Sequence, residues 1–205
     1  MYPEILSKEQ KELLPFIQQF RREFYLVGGT AISLQVGHRR SIDFDLFKLS
    51  NMSPKRMIKR INEAKFPSVI TRRVSEQINL VMNNVTITFF QYPYAIEANV
   101  DFEKIFRMPD LHTLAAMKAY ALGRRAKWKD YVDLYFLLRD YFTLDQIVQE
   151  ADLLFGQMFS GKLFRSQLAF HKDIDYTEPV EYMPGFEVDE QTVKDFLVDK
   201  SLQEI

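Results

Sequence analysis

The sequence predicts a mixed α/β or α+β protein, with a small β-sheet flanked by helices and a helical C-terminal region. Short apolar or alternating runs, typical of strands, lie between residues 24 and 92, and segments with helix-capping signals surround and follow them. Of the 205 residues, 47% are hydrophobic, which is enough for a substantial core. The chain has no cysteine, and this excludes disulfide scaffolds and cysteine-based metal or redox sites.

The predicted elements follow from local patterns along the chain. Ser7 and Gln10 form a capping box for the first helix, which Pro15 should kink or split. Asn83-Asn84 predicts a tight hairpin turn. The predicted helices span residues 8–20, 30–36, 54–63, 111–122, 129–139, 143–155 and 189–198. The predicted strands span residues 24–27, 41–47, 69–73, 77–82 and 85–92, and alternation in the second places Ile42, Phe44 and Leu46 on one side.

Two regions are expected, a sheet domain over residues 1–108 and a helical region over residues 109–205, packed together as one unit. No segment approaches the roughly 18 apolar residues that span a bilayer, and the N-terminus lacks a secretion signal. We therefore expect a cytoplasmic protein that makes no membrane contact.

The net charge of −1 conceals an uneven distribution. Residues 1–140 carry 22 Lys and Arg against 15 Asp and Glu, whereas residues 141–205 carry 5 against 13. A positive first part suits a polyanionic ligand such as a nucleotide or RNA, although two solvated faces would explain the pattern equally well.

The segment FYLVGGTAISLQVGHRRSIDFDLF is the most informative part of the chain. Gly28 and Gly29 allow a close backbone approach, and the helix that follows presents N–H groups suited to a phosphate, with the Thr30 hydroxyl as a further donor. Asp43 and Asp45 lie two apart on a strand and project to one side, where paired carboxylates can hold a divalent cation such as Mg²⁺ or Mn²⁺. A metal beside a phosphate cradle is typical of phosphoryl or nucleotidyl transfer.

Basic residues accompany this motif and recur near residue 120. Arg39 and Arg40 precede the carboxylates and could bind a triphosphate or nucleic acid. Lys118 falls within the apolar stripe of its helix, so it must snorkel or find a partner, either the active-site carboxylates or a triphosphate. Asp130 and Asp133 share one side of the next helix, where a structural or ligand-orienting role is favoured over metal binding.

The stretch LVGGTAISLQVGHRRSIDFDLF resembles the first motif of the nucleotidyltransferase superfamily related to DNA polymerase beta, and more narrowly the AbiEii/AbiGii toxin family. The run LHTLAAMKAYALGRRAKWKDYVDLYFLL resembles a second stretch of that family, with a lysine, a later arginine, a basic-Asp pair and a further aspartate. The matching positions are Lys118, Arg124 with Arg125 as the alternative, Lys129, Asp130 and Asp133.

The resemblance implies a nucleotidyltransferase-like sheet and Mg²⁺- or Mn²⁺-dependent transfer of a nucleoside monophosphate from an NTP to an acceptor hydroxyl. It implies RNA or tRNA as the acceptor class, and a toxin role beside a cognate antitoxin protein. The implied catalytic residues are Asp43, Asp45 and Lys118, and the implied phosphate-binding residues are Gly28, Gly29, Thr30, Arg39, Arg40, Arg124 and Lys129.

One departure from the superfamily pattern concerns the third carboxylate, which catalytic members usually place on a nearby strand. Thr88 is the best match to that position in this chain. Either the Asp43–Asp45 pair suffices with one metal, or a carboxylate such as Glu97 or Asp101 substitutes. The alternative is a degenerate module that binds nucleotide, RNA or a protein partner without turnover.

Overall fold

The computed structural model describes residues 1–203, and its Cα packing divides the chain into two compact units, Met1–Asp110 and Leu111–Ile205. The first unit contains α1 (Lys8–Gln18), α2 (Gly28–Val36), α3 (Pro54–Asn62), β1 (Tyr25–Val27), β2 (Phe44–Lys48), β3 (Ser68–Arg73), β4 (Gln77–Met82), β5 (Val85–Gln91), β6 (Val100–Phe102) and β7 (Phe106–Met108).

Five strands of the first unit form a mixed sheet in the order β1-β2-β5-β4-β3. Strands β2 and β5 run parallel, and the other neighbouring pairs are antiparallel. The predicted mixed sheet flanked by helices is therefore confirmed. Strands β6 and β7 form a separate two-stranded sheet that the sequence patterns did not predict.

Alternation along the central strands gives the sheet one apolar face. Phe44 on β2 and Ile87 and Phe89 on β5 are fully buried on this face. The ring of Phe89 lies 4.7 Å from that of Phe20, just after α1, and 5.2 Å from that of Phe24. Burial of these side chains fixes the strand register, because a one-residue slip would expose all of them.

The prediction for residues 41–43 was wrong. Strand β2 begins at Phe44, and Ile42, predicted to share a side with the buried Phe44 and Leu46, has 59% of its surface exposed. The Gln10 side chain donates to the Ser41 carbonyl at 2.8 Å, and the Thr30 hydroxyl bonds to the carbonyls of Ser41 and Asp43. Because these carbonyls accept hydrogen bonds from side chains rather than from a neighbouring strand, residues 41–43 leave the sheet and Ile42 faces solvent.

The capping box and the hairpin turn are both confirmed, whereas the predicted split at Pro15 is not found. The capping box of Ser7 and Gln10 is present. Asn83 and Asn84 have φ values of 50° and 62°, the left-handed pair that a tight hairpin turn requires. Pro15 lies within α1 without splitting it, and the helix ends three residues later at Gln18.

The second unit is helical, with α4 (Leu111–Leu122), α5 (Trp128–Asp140), α6 (Leu144–Phe155), α7 (Gly161–Leu168) and α8 (Glu190–Leu202). Helix α5 is its centre, because most of its side chains are buried, including Tyr131, Leu134 and Phe136. Helix α7 lies in a stretch that the sequence patterns left as loop. Within residues 1–203, no helix is both long and apolar enough to cross a membrane.

Candidate active site

A polar row crosses the face of the main sheet opposite its apolar core. Asp45 on β2 is the register partner of Thr88 on the parallel strand β5, and Thr88 in turn pairs with Asn79 on β4. All three side chains are partly exposed, whereas their chain neighbours on the other face are buried. The row therefore places one carboxylate beside two neutral oxygen-bearing side chains.

Gly28 lets the Asp45 carboxylate approach the start of α2. A Cβ atom at this position would lie 2.4 Å from Oδ2 of Asp45, closer than real Cβ contacts. Gly28 also has a φ of 72°, in the left-handed region that favours glycine. Both constraints require glycine here, and they bring the carboxylate against the first residue of the helix.

Gly29 makes a similar close approach to Arg39. A Cβ atom on Gly29 would lie 2.5 Å from Nη2 of Arg39 and 3.0 Å from Oγ of Ser41. Arg39 is buried, with 3% of its surface exposed, and its Nη1 donates to the Arg40 carbonyl at 2.9 Å. A guanidinium is therefore held at the first turn of α2, where an anionic group is also favoured by the helix N-terminus.

Thr30 anchors the segment that carries Asp43. Its buried hydroxyl lies 3.0 Å from Oγ of Ser41 and 3.3 Å from the Ser41 carbonyl, and it donates to the Asp43 carbonyl. These contacts tie the backbone of residues 41–43 to the first turn of α2. Arg40 was also predicted to bind phosphate, and its Nη1 donates to the Glu4 carbonyl at 3.3 Å.

The donor chemistry of this face fits a single hard divalent cation. Mg²⁺ is commonly held by one or two carboxylates together with substrate phosphates, and Asp45 supplies one carboxylate on this face. Asp43, predicted to lie on the same strand, instead precedes β2, where Thr30 holds its backbone carbonyl. Within residues 1–203, no group of three or more His, Cys, Asp or Glu side chains converges as metal ligands would. Asp101 is instead ion-paired with Arg21, and Glu97 accepts from Asn99, so neither completes a third carboxylate.

The second unit contains a network of four charged side chains, three of which are buried. Nζ of Lys118 on α4 lies 2.6 Å from Oδ1 of Asp130 and 2.9 Å from Oδ2 of Asp133, both on α5. Lys118 is 4% exposed and both carboxylates are fully buried. Nε of Arg125 lies 3.0 Å from the other oxygen of Asp130. The lysine is therefore paired rather than snorkelled.

Electrostatics explain why Asp130 is charged although it is buried. Burial alone would raise the pKa of Asp130, but the positive charges of Lys118 and Arg125 outweigh that effect and hold its pKa below the ordinary value. The carboxylate is thus ionised at neutral pH and fixes the positions of both basic groups.

The two arginines that the sequence could not separate have different surroundings. Arg124 is exposed and stacks on Tyr120, with its guanidinium carbon 3.7 Å from the ring centroid. The Arg125 side chain, which is 49% exposed, is held by Asp130. Lys129 pairs with Glu178, as does Lys127, and these contacts hold the pKa of Glu178 below its ordinary value despite partial burial.

Sequence reasoning missed some residues that shape the site. Asn79 extends the Asp45–Thr88 row, and Gln10 binds the Ser41 carbonyl from a distant helix. The alternating polar residues Gln77 and Asn79 on β4 could have indicated a polar face, whereas the Gln10 contact depends on tertiary packing alone.

Comparison with known proteins identifies the family of the chain. The model of the family described as "Nucleotidyl transferase AbiEii toxin, Type IV TA system" matches residues 16–105 and 93–196. An uncharacterised protein of Aquifex aeolicus is 31% identical over 159 residues, covering 71% of this chain and 75% of that protein.

Solved structures share the fold at low sequence identity. The nucleotidyltransferase toxin MenT4 of Mycobacterium tuberculosis has a TM-score of 0.64 at 14% identity, covering 94% of this chain and 80% of that one. JHP933 of Helicobacter pylori has a TM-score of 0.56 at 15% identity, covering 96% and 91%. The family match extends over most of the chain, including the Gly-Gly and Asp-x-Asp motifs, and the chain therefore belongs to the AbiEii family of nucleotidyltransferase toxins.

Proposed function

We propose that this nucleotidyltransferase is a metal-dependent toxin that transfers a nucleoside monophosphate from an NTP to a hydroxyl group of an RNA acceptor. The observation that carries the proposal is the close approach of the Asp45 carboxylate to Gly28 at the start of α2. This approach brings together an acidic group for a cation and a helix N-terminus for a phosphate.

The cation would be held by Asp43 and Asp45, with Thr88 contributing at most a neutral oxygen. When bound, Mg²⁺ or Mn²⁺ supplies charge neutralisation at the triphosphate. A neutral threonine holds a second cation poorly, so we propose a one-metal site that is completed by the phosphates of the substrate.

The phosphates would lie at the first turn of α2. Val27, the N-cap residue, makes no side-chain hydrogen bond to this turn, and Arg39 is held against Gly29. The acceptor oxygen forms a bond to the α-phosphorus as the bond to the bridging oxygen of the β-phosphate breaks. Pyrophosphate leaves with that electron pair, and one of the two carboxylates accepts the hydroxyl proton.

In the second unit, Asp130 fixes the positions of two basic groups. We propose that Arg125, which the sequence left as the alternative to Arg124, is a phosphate-binding residue. Its Nε is held by a buried carboxylate and nearly half of its side chain is exposed, so the guanidinium is both oriented and accessible. Lys118 is 4% exposed and paired with two carboxylates, so we propose that it orients this network instead of contacting a substrate. Asp130 and Asp133 then act as positioning residues.

RNA or tRNA as the acceptor and a cognate antitoxin as the partner are supported by family membership and by the basic balance of residues 1–140. A direct test is to incubate the protein with each α-labelled NTP, Mg²⁺ and total bacterial RNA, and to follow label into RNA and into the protein. We expect label in RNA from one NTP or a subset of them. Label in neither RNA nor protein, at enzyme concentrations that reveal a single turnover, would contradict the proposal and favour a binding module.

A further inference from the structure

Two phenylalanines on the open sheet face have no part in the function proposed above. Phe47 follows Asp45 by two residues on β2, and Phe90 follows Thr88 by two residues on β5, so all four side chains share one face. Phe47 and Phe90 are register partners, and their rings meet edge to face with centroids 5.2 Å apart.

These two rings lie outside the buried hydrophobic core, which occupies the other face of the sheet. Phe44 and Phe89 on that face are fully buried, whereas Phe47 and Phe90 each keep part of their surface exposed. Tyr92, which is 7% exposed, packs 5.0 Å from Phe47 and supports it from the end of the strand. Phe47 and Phe90 therefore form a partly exposed aromatic row, packed against Tyr92 and adjacent to the polar row of Asp45, Thr88 and Asn79.

Tyr25 bounds the same row at its β1 end, where it is the register partner of Phe47. Its hydroxyl is buried and has no hydrogen-bond partner among residues 1–203. A buried hydroxyl without a partner costs free energy, and a ligand that offers a donor or acceptor relieves that cost. At the β4 end, Gln77 pairs with Phe90 and donates to Asn79 at 2.9 Å.

We propose that Phe47 and Phe90 form a stacking platform for a nucleobase bound at the active site. The inference rests on the proposed function, because it places the base beside the carboxylates that face the reacting phosphate. A ribose separates the α-phosphate of a nucleotide from its base, and one row of this face, about 7 Å, separates the Asp45 position from the rings. Every nucleobase has a face that stacks on an aromatic ring.

The base could come from the NTP or from the RNA acceptor, and binding assays with Phe90→Leu separate these sources. The probes are the four NTPs, inorganic tripolyphosphate and a short single-stranded RNA, each titrated with Mg²⁺. If the platform holds the NTP base, Phe90→Leu weakens NTP binding about ten- to a hundredfold and leaves tripolyphosphate binding unchanged. If it holds the acceptor base, RNA binding weakens by a similar factor and NTP binding stays as in the wild type.

Phe90→Tyr keeps the ring and should restore binding, whereas Phe170→Ala removes an exposed ring of the second unit and should change nothing. Phe90→Trp provides an independent readout, because a stacking base quenches its fluorescence and tripolyphosphate does not. Unchanged NTP and RNA affinities in Phe90→Leu, or no base-dependent quenching in Phe90→Trp, would overturn the platform. If wild type binds neither NTP nor tripolyphosphate, the proposed function itself fails, and the platform fails with it.

Discussion

Asp45 and Thr88 are direct register partners on neighbouring parallel strands, and Thr88 is the residue that the sequence predicts at the position of the superfamily's third carboxylate. Because of this pairing, a neutral hydroxyl rather than a carboxylate lies in the row next to Asp45. One row of the sheet face offers a single carboxylate, a hydroxyl and, from Asn79, an amide. This is a donor set for one cation rather than two.

Thr88→Asp should therefore strengthen cation binding in the absence of nucleotide. A second carboxylate beside Asp45 adds negative charge to a site that otherwise depends on substrate phosphates, and we expect Mn²⁺ to bind about tenfold more tightly. Titration of Mn²⁺ followed by electron paramagnetic resonance measures the change. Thr71→Asp, on the exposed edge strand β3, is the matched control. If both substitutions strengthen Mn²⁺ binding equally, the added negative charge alone, and not its position beside Asp45, accounts for the change.

The neighbouring arginines should differ in their importance. Arg125→Ala removes a guanidinium oriented by Asp130, and we expect nucleotidyl transfer to fall about ten- to a hundredfold. Arg124→Ala removes a side chain that stacks on Tyr120, and we expect less than a threefold change. Initial rates at saturating and limiting NTP compare the two variants. A larger loss in Arg124→Ala would reverse the assignment.

Lys118→Met should destabilise the second unit by about 3–5 kcal/mol at pH 7, because it leaves two buried carboxylates without their shared partner. Urea denaturation measures the loss. Lys127→Met breaks a partly exposed pair with Glu178 and should cost at most about 1 kcal/mol. Similar losses in the two variants would show that burial of the Lys118 ion pairs does not increase their contribution to the free energy of unfolding.

The same network predicts a pH dependence. The pKa of Asp130 is below its ordinary value in the folded protein, so the stability it supplies is present above the unfolded-state pKa of about 3.9 and is lost as the pH falls through the folded-state pKa. In Lys118→Met, the lysine no longer opposes the effect of burial, so the pKa of Asp130 should rise. The deficit of this variant relative to wild type should then grow as the pH rises from about 4 to 7. A deficit independent of pH would exclude this electrostatic origin.

Gly28→Ala should impair both folding and activity. The left-handed φ costs about 1–2 kcal/mol for a residue with a Cβ, and that atom would displace the Asp45 carboxylate. We expect a lower Tm and a loss of transfer of at least a hundredfold. Gly123→Ala is the control, because its Cβ would meet only the Tyr120 carbonyl, at 3.7 Å. Normal activity in Gly28→Ala would mean that the close approach does not matter.

Tyr25→Phe should leave stability unchanged or raise it by up to about 1 kcal/mol, because it removes a buried hydroxyl without a partner. Burial already raises the pKa of Tyr25. Tyr131→Phe removes a hydroxyl that donates to the Phe170 carbonyl at 3.1 Å, and it should cost about 1 kcal/mol. Urea denaturation of both variants tests the contrast, and a clear loss in Tyr25→Phe would reveal a hydrogen bond in solution.

The sequence was most informative where local patterns decide structure. Alternation on β2 and β5 identified the apolar face, and paired asparagines identified the hairpin turn. The prediction for Ile42 was wrong because Gln10 and Thr30 donate hydrogen bonds to the backbone carbonyl beside that residue. No local sequence pattern encodes those contacts. The sequence could not decide between Arg124 and Arg125, because the choice depends on a carboxylate that α5 brings back to α4.

The most direct test of the central claim compares α-labelled with γ-labelled NTP, using wild type and Asp45→Asn, a substitution that keeps the shape of the side chain. Asp152→Asn, at an exposed position of α6, is the control. The account predicts that α-label, and not γ-label, enters the acceptor with wild type and the control, and that Asp45→Asn abolishes the transfer. Transfer of γ-label instead, or undiminished α-label transfer by Asp45→Asn, would contradict it.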